Sequence, residues 1–186
     1  MGCKLIQNIK HSCEYNAGGI TEIYLLDIDD FVAYQFEGDA LYDGCMVDTI
    51  KTQNVDYLRM DTVIESNFTE TQDSGIFKQT LSTFVGTPEA SKTSNLLLSA
   101  GRKYLVVFKT SQGMFYSFGS DGGATIAFSQ QTGQQGEASG YSIAITKNSI
   151  YPLFEVNARK FNKILVLGTH PGVMVPTEDN KKAILI

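Results

Sequence analysis

The segment KYLVVF, residues 103 to 108, sets the strongest constraint on this chain, because after one lysine it runs five apolar or aromatic residues without a polar position. A strand with one wet face alternates apolar and polar side chains. A continuous run reads instead as a strand covered on both faces. Ser111 to Gly113 then turn the chain into MFYSF, so residues 104 to 118 are predicted to form a central hairpin.

Further β-patterns surround it. ITEIYLLDI, residues 20 to 28, follows the Gly18-Gly19 turn as a first strand, and GCMVDTI and VDYLRMDTVIESNFTE read as further strands. A polar turn at Gln72 to Gly75 makes residues 61 to 85 a long hairpin, whose imperfect alternation predicts a bulge. SDGGA leads into TIAFS, and YSIAIT sets Tyr141, Ile143 and Ile145 on one face. Residues 124 to 146 are therefore a hairpin with a long Gln/Gly tip. One helix is announced by TPEA, with Thr87 as N-cap, Pro88 in the first turn and Gly101 as the stop. Leu96, Leu97 and Leu98 give it an apolar face, which predicts a lid on the core. After YPLFEV the pattern weakens, with KILVL a short strand, HPGVMVP extended and KKAILI apolar.

With 186 residues and 42% hydrophobic side chains the chain is long enough for one domain to bury roughly 70% of its unfolded surface. Its net charge of -5 and the lack of any basic cluster beyond the pairs at 102–103 and 181–182 argue against specific nucleic-acid binding. Cys3, Cys13 and Cys45 lack metal-type spacing and read as free thiols in a reducing compartment. MGCKLIQ fails as an acylation signal because Ile6 stands where Ser or Thr is needed, and no apolar run approaches the ~20 residues of a span. No membrane anchor and no secretory leader are expected.

Catalytic and ligand sites are weakly supported. His11 and His170 are the two imidazoles, and neither sits in a nucleophile motif, so a hydrolase reading carries little weight. Asp27, Asp29 and Asp30 lack the glycine and distal glutamate of a calcium loop, which leaves a strand end or helix start. GSDGG, residues 119 to 123, reads as a hairpin turn, and Glu65 and Glu70 are five apart and point to opposite faces of a strand. The aromatic residues 115, 116, 118, 128 and 141 have the spacing of a sheet core. No enzyme, no cofactor and no metal are expected.

The order of NAGGITEIYLLDIDDF, FTETQDSGIFKQTLSTFV and SNLLLSAGRKYLVVFKTSQGMFYSFGSDGGATIAFSQQTGQQGEASGYSIAIT resembles small tail-tube-like and neck-ring proteins of tailed bacteriophages of Bacteroidetes, including crAss-like phages. The resemblance spans residues 16 to 156. It implies a mainly β subunit, an antiparallel β-sandwich or half-barrel with one flanking α-helix and long hairpins. Outside the resemblance, residues 1 to 15 are an N-terminal arm and residues 157 to 186 a C-terminal extension, whose apolar end is expected to dock either on the chain's own core or on a neighbouring subunit.

The implied function is structural: a virion protein, assembled in the host cytoplasm, forming a homo-oligomeric ring in the tail or neck around a DNA-conducting channel. Its partners are identical copies, adjacent tail, neck or portal proteins, and genome DNA passing non-specifically. Gln130, Gln131, Thr132, Gly133, Gln134, Gln135 and Tyr141 are the expected oligomer-interface residues. The alternative is a carbohydrate-binding or adhesion β-sandwich that stacks sugars on the aromatics of Phe115 to Phe118.

Overall fold

The computed structural model describes residues 18–36, 46–53, 57–61, 66–132, 138–162, 175–176 and 183–184. It is mainly β: eleven strands form one mixed sheet. The central strand β7 (Lys103–Thr110) lies between β1 (Ile20–Asp27), antiparallel along its whole length, and β8 (Phe115–Phe118) with β9 (Ala124–Gln131) on the other side. From Tyr104 to Phe108 every residue of β7 is buried, as its unbroken apolar run predicts.

Alternate residues of β7 feed two separate cores. Tyr104, Val106 and Phe108, with Ile23 and Leu25 of β1, join Ile126 of β9 and Ile143 and Ile145 of β10 (Gly140–Ser149). Leu81 of β6 (Ile76–Gly86) completes this first cluster. Leu105 and Val107, with Tyr24 and Leu26, face a second cluster. That cluster is built from Val47 and Ile50 of β3 (Met46–Thr52), Phe115 of β8, and Phe154 and Val156 of β11 (Phe154–Val156). The sheet therefore bends so that its two halves cover opposite faces of β1 and β7.

From one margin to the other the order is β2 (Phe31–Phe36), β3, β11, β8, β7, β9, β10, β6 and β5 (Asn67–Asp73), with β4 (Leu58–Asp61) added to β1. All pairings are antiparallel except β3 with β11, which is parallel. A purely antiparallel arrangement does not hold, because β11 lies between β3 and β8 and, running antiparallel to β8, is parallel to β3. A separate two-stranded pair joins β12 (Val175–Pro176) to β13 (Ala183–Ile184).

The hairpins follow their turn residues. Ser74 and Gly75 both have positive φ, 52° and 86°, which is the two-residue turn that matches strand twist. The β5–β6 register runs without a shift from Asn67 to Asp73, so the expected bulge is absent. Shifts occur instead in β1–β7 and β2–β3. The hairpin also begins at Asn67 rather than residue 61, because Leu58–Asp61 pairs with β1.

Helix α1 (Ala90–Ala100) flanks the sheet but is not the expected lid. Leu96 packs on the first cluster, while Leu97 and Leu98 are 63% and 72% exposed. Thr87 does not cap it, since its φ is 61° and the N-cap is Glu89. The first turn is held from elsewhere: the Tyr141 hydroxyl accepts from the Glu89 amide at 3.2 Å and bonds Thr93 Oγ1 at 2.7 Å.

Residues 158–162 form a short helical turn, and Phe161 is fully buried in the second cluster. Of the two docking modes expected for residues 157 to 186, the first residues follow the own-core one, while 163–174 and residues 1 to 15 lie outside the described residues.

Gly140 allows the close pairing of β10 with β6: a Cβ there would strike the Val85 carbonyl and lie 2.7 Å from the Phe84 ring. Gly140→Ala is expected to cost about 1–3 kcal/mol in urea unfolding. Gly18→Ala, with open space around it, should stay within about 0.5 kcal/mol.

Candidate assembly interface

The β9–β10 ladder carries the polar tip. Gln131 opposes Gly140 and Gln130 opposes Tyr141, so both glutamines stand on the last rungs of the ladder. Gln130, Gln131 and Thr132 are exposed, as an interface requires. Gly133, Gln134 and Gln135 lie outside the described residues. Tyr141 is fully buried, with its ring in the first cluster and its hydroxyl on α1. It was expected to face a neighbour, but its strand alternation turns it inward with Ile143 and Ile145.

The sheet itself offers three further margins. Among the described residues β2 pairs only with β3, β5 only with β6 and β4 only with β1, so each leaves one backbone margin open. Strand β2, FVAYQF, has no charge and no proline, and it exposes Val32 (55%) and Phe36 (40%). Margins of this kind pair readily with another strand. Strand β5, NFTETQD, is polar and acidic, with Glu70 and Asp73 and no basic residue. Strand β2 lies outside the strands expected above, although five of the six residues after Asp30 are aromatic or apolar and carry the signal.

Charged groups near these margins have structural partners. Glu70 accepts from Gln79 Nε2 at 2.7 Å and from the Leu153 amide at 2.8 Å, which ties the β10–β11 connection to the β5 margin. Asp27 caps the 3-10 turn at Ile28–Asp30 through the Asp29 amide and pairs with Arg102 at 2.9 Å. On β1, burial raises the Glu22 carboxyl, but hydrogen bonds from Tyr24 and Lys109 and the charges of Lys109 and Arg59 outweigh it and hold it below its usual range. Burial, then Glu22, pushes the Tyr24 hydroxyl up to about 12.

Other candidate residues resolve into structure or fall outside it. His11, His170, Cys3, Cys13, Cys45 and Glu65 lie outside the described residues. Gly119 and Gly123 have positive φ, and a Cβ on either would strike the β7 backbone or Lys103. GSDGG is thus the turn from β8 to β9. Phe115 and Phe118 are buried in the two cores, while Tyr116 between them is half-buried. Among the described residues no His, Cys, Asp and Glu cluster is arranged to hold a metal, and no helix is long and apolar enough to cross a membrane.

Compared with protein-family models, curated proteins and solved structures, the chain has no match.

One ion pair makes a test of the core next to the β2–β3 margin. Lys160 Nζ bonds Asp48, which also accepts from Asn157 Nδ2 at 3.2 Å. Lys160 first, then Thr49 and Asn157, hold the Asp48 carboxyl below its usual range against the effect of burial. A depressed carboxylate adds stability above its unfolded value, about pH 4, and loses it as pH falls through the folded value. Asp48→Asn is therefore expected to be less stable than the native chain at pH 7, with the gap closing towards pH 3. Near-ultraviolet circular dichroism of Tyr24 and Tyr57, which meet Phe161 edge to face, reads it.

Proposed function

We propose that this chain is a structural virion protein that assembles as a homo-oligomeric ring in the tail or neck of a bacteriophage, enclosing a DNA-conducting channel. Its subunit is a β-sandwich or half-barrel of the tail-tube type. The observation that supports this reading is that, among the described residues, β2 and β5 end the main strand order with two unlike open margins, a third lying at β4. Two different margins favour a head-to-tail contact, because a strand of one kind on each copy meets a strand of the other kind on the next. Such contacts close into a ring when the rotation between copies permits. In the ring each β2 margin is completed by a neighbour's β5.

Self-pairing of like margins is less favourable. Two β5 strands side by side would bring Glu70 and Asp73 of each copy together, and like charges on adjoining strands repel. The exposed Gln130, Gln131 and Thr132 at the end of the β9–β10 hairpin give each copy hydrogen-bonding side chains that remain soluble before assembly. A net charge of -5 suits a channel that passes DNA without retaining it, since retention needs phosphate neutralisation. Adjacent tail, neck or portal proteins are the further partners of this reading. The role is structural and requires no turnover.

Size-exclusion chromatography and electron microscopy of the concentrated protein are expected to show closed rings, and a chain that stays monomeric and is missing from particles would refute the proposal. Val32→Lys adds a charge to the uncharged margin, where lysine discourages strand addition. It is expected to reduce ring formation while shifting unfolding stability by no more than about 0.5 kcal/mol.

A further inference from the structure

Between α1, β1 and β4 lies an apolar groove of about 540 Å3, lined by Leu25, Leu58, Met60, Leu96, Leu98 and Ile126. Leu58 is 60% exposed and Leu98 72%. Two guanidiniums, Arg59 and Arg102, stand among its lining residues, beside Asp27. One of its lining residues, Asp27, ends β1, and only the turn Ile28–Asp30 separates it from Phe31 at the start of β2.

At the far margin the β5–β6 hairpin ends in a tip with the complementary character. Ile76 is 45% exposed, and Asp73 next to the turn has a 65% exposed side chain. Its ion pair with Lys78, at 3.2 Å, is an exposed one. Such pairs contribute little, so exchanging this partner for another cation has a small cost.

We infer that the groove of one copy receives the tip of the β5–β6 hairpin of the next. This rests on the ring reading above and specifies its contact. Strand β2 has six residues and β5 seven, enough to share roughly 20 Å of edge. Antiparallel pairs outnumber parallel ones about two- to threefold. When β5 of the neighbour adds to β2 in the antiparallel sense, it runs against β2 and carries its turn past Phe31 towards Asp27. Ile76 then reaches the apolar walls, and Asp73 comes to the side of the groove that holds Arg59 and Arg102. The geometry is heterologous, since groove and tip are different parts of the chain, and it gives each contact a fixed direction and register.

The test uses the full chain with the photo-reactive residue benzoylphenylalanine in place of Ile76, in a mixture of 14N- and 15N-labelled copies. Irradiation of assembled protein is expected to join position 76 of one copy to residues 57–60 or 95–102 of the other, giving a species of twice the 20.4 kDa protomer mass. Leu98→Lys in the receiving copy is expected to abolish that product, and Asp73→Lys in the donating copy to reduce it. Rings that form with position 76 joined elsewhere, or with Leu98→Lys leaving the product unchanged, overturn the hairpin-in-groove contact and leave the ring standing. Protein that gives no assembly and no product between copies overturns both. Circular dichroism of each variant against the native chain shows that an exposed site has been changed without unfolding.

Discussion

The fold depends on one strand serving two interiors. Because β7 is buried on both faces, each of its neighbours is dictated by it: β1 in register alongside, one half of the sheet over Val106 and Phe108, the other over Leu105 and Val107. A slip of one residue between β1 and β7 would send Tyr24 and Leu26 to the face built for Ile23 and Leu25. With buried side chains of this size each contributing about 1.5–3 kcal/mol, such an exchange is strongly disfavoured. The register is thereby specified twice, once from each side.

Long-range polar ties then fix what the two cores leave loose. Tyr141 reaches across 52 positions to bond the first turn of α1, and Asp48 reaches 112 to Lys160 to hold the turn that delivers Phe161. Glu70 and Gln79 do the same for the β10–β11 connection. Each tie joins a peripheral element to a strand already committed to the core. The outer elements are thus positioned by the sheet rather than by their own propensities.

That division explains how much was legible in advance. The buried run KYLVVF, the hairpins at 104 to 118 and 124 to 146, and the Ser74-Gly75 turn all rest on local patterns of alternation and turn chemistry, and all are present. The start of α1 was misjudged because its cap comes from Tyr141, not from the adjoining Thr87. The lid was misjudged because three successive leucines cannot all face one side of a helix, and only Leu96 turns inward. Strand β2 follows directly on the acidic turn Ile28–Asp30, which reads as the end of a strand, and the parallel β3–β11 pair has no local signature at all. Of the proposed interface residues, the exposed Gln130, Gln131 and Thr132 follow from polarity, whereas Tyr141 follows the inward alternation of its strand.

The parallel pairing of β3 and β11 also sets the timing of maturation. Val47 and Val156 meet only when the chain closes a loop comparable to the 109 positions between Asp48 and Asn157, and contacts so distant in sequence form slowly. During synthesis at about 5–20 residues per second, β3 waits several seconds for the strand that completes its other side. Until then β2 has no finished sheet behind it. The margin of β2 is thereby the last part of the sheet to gain its full support.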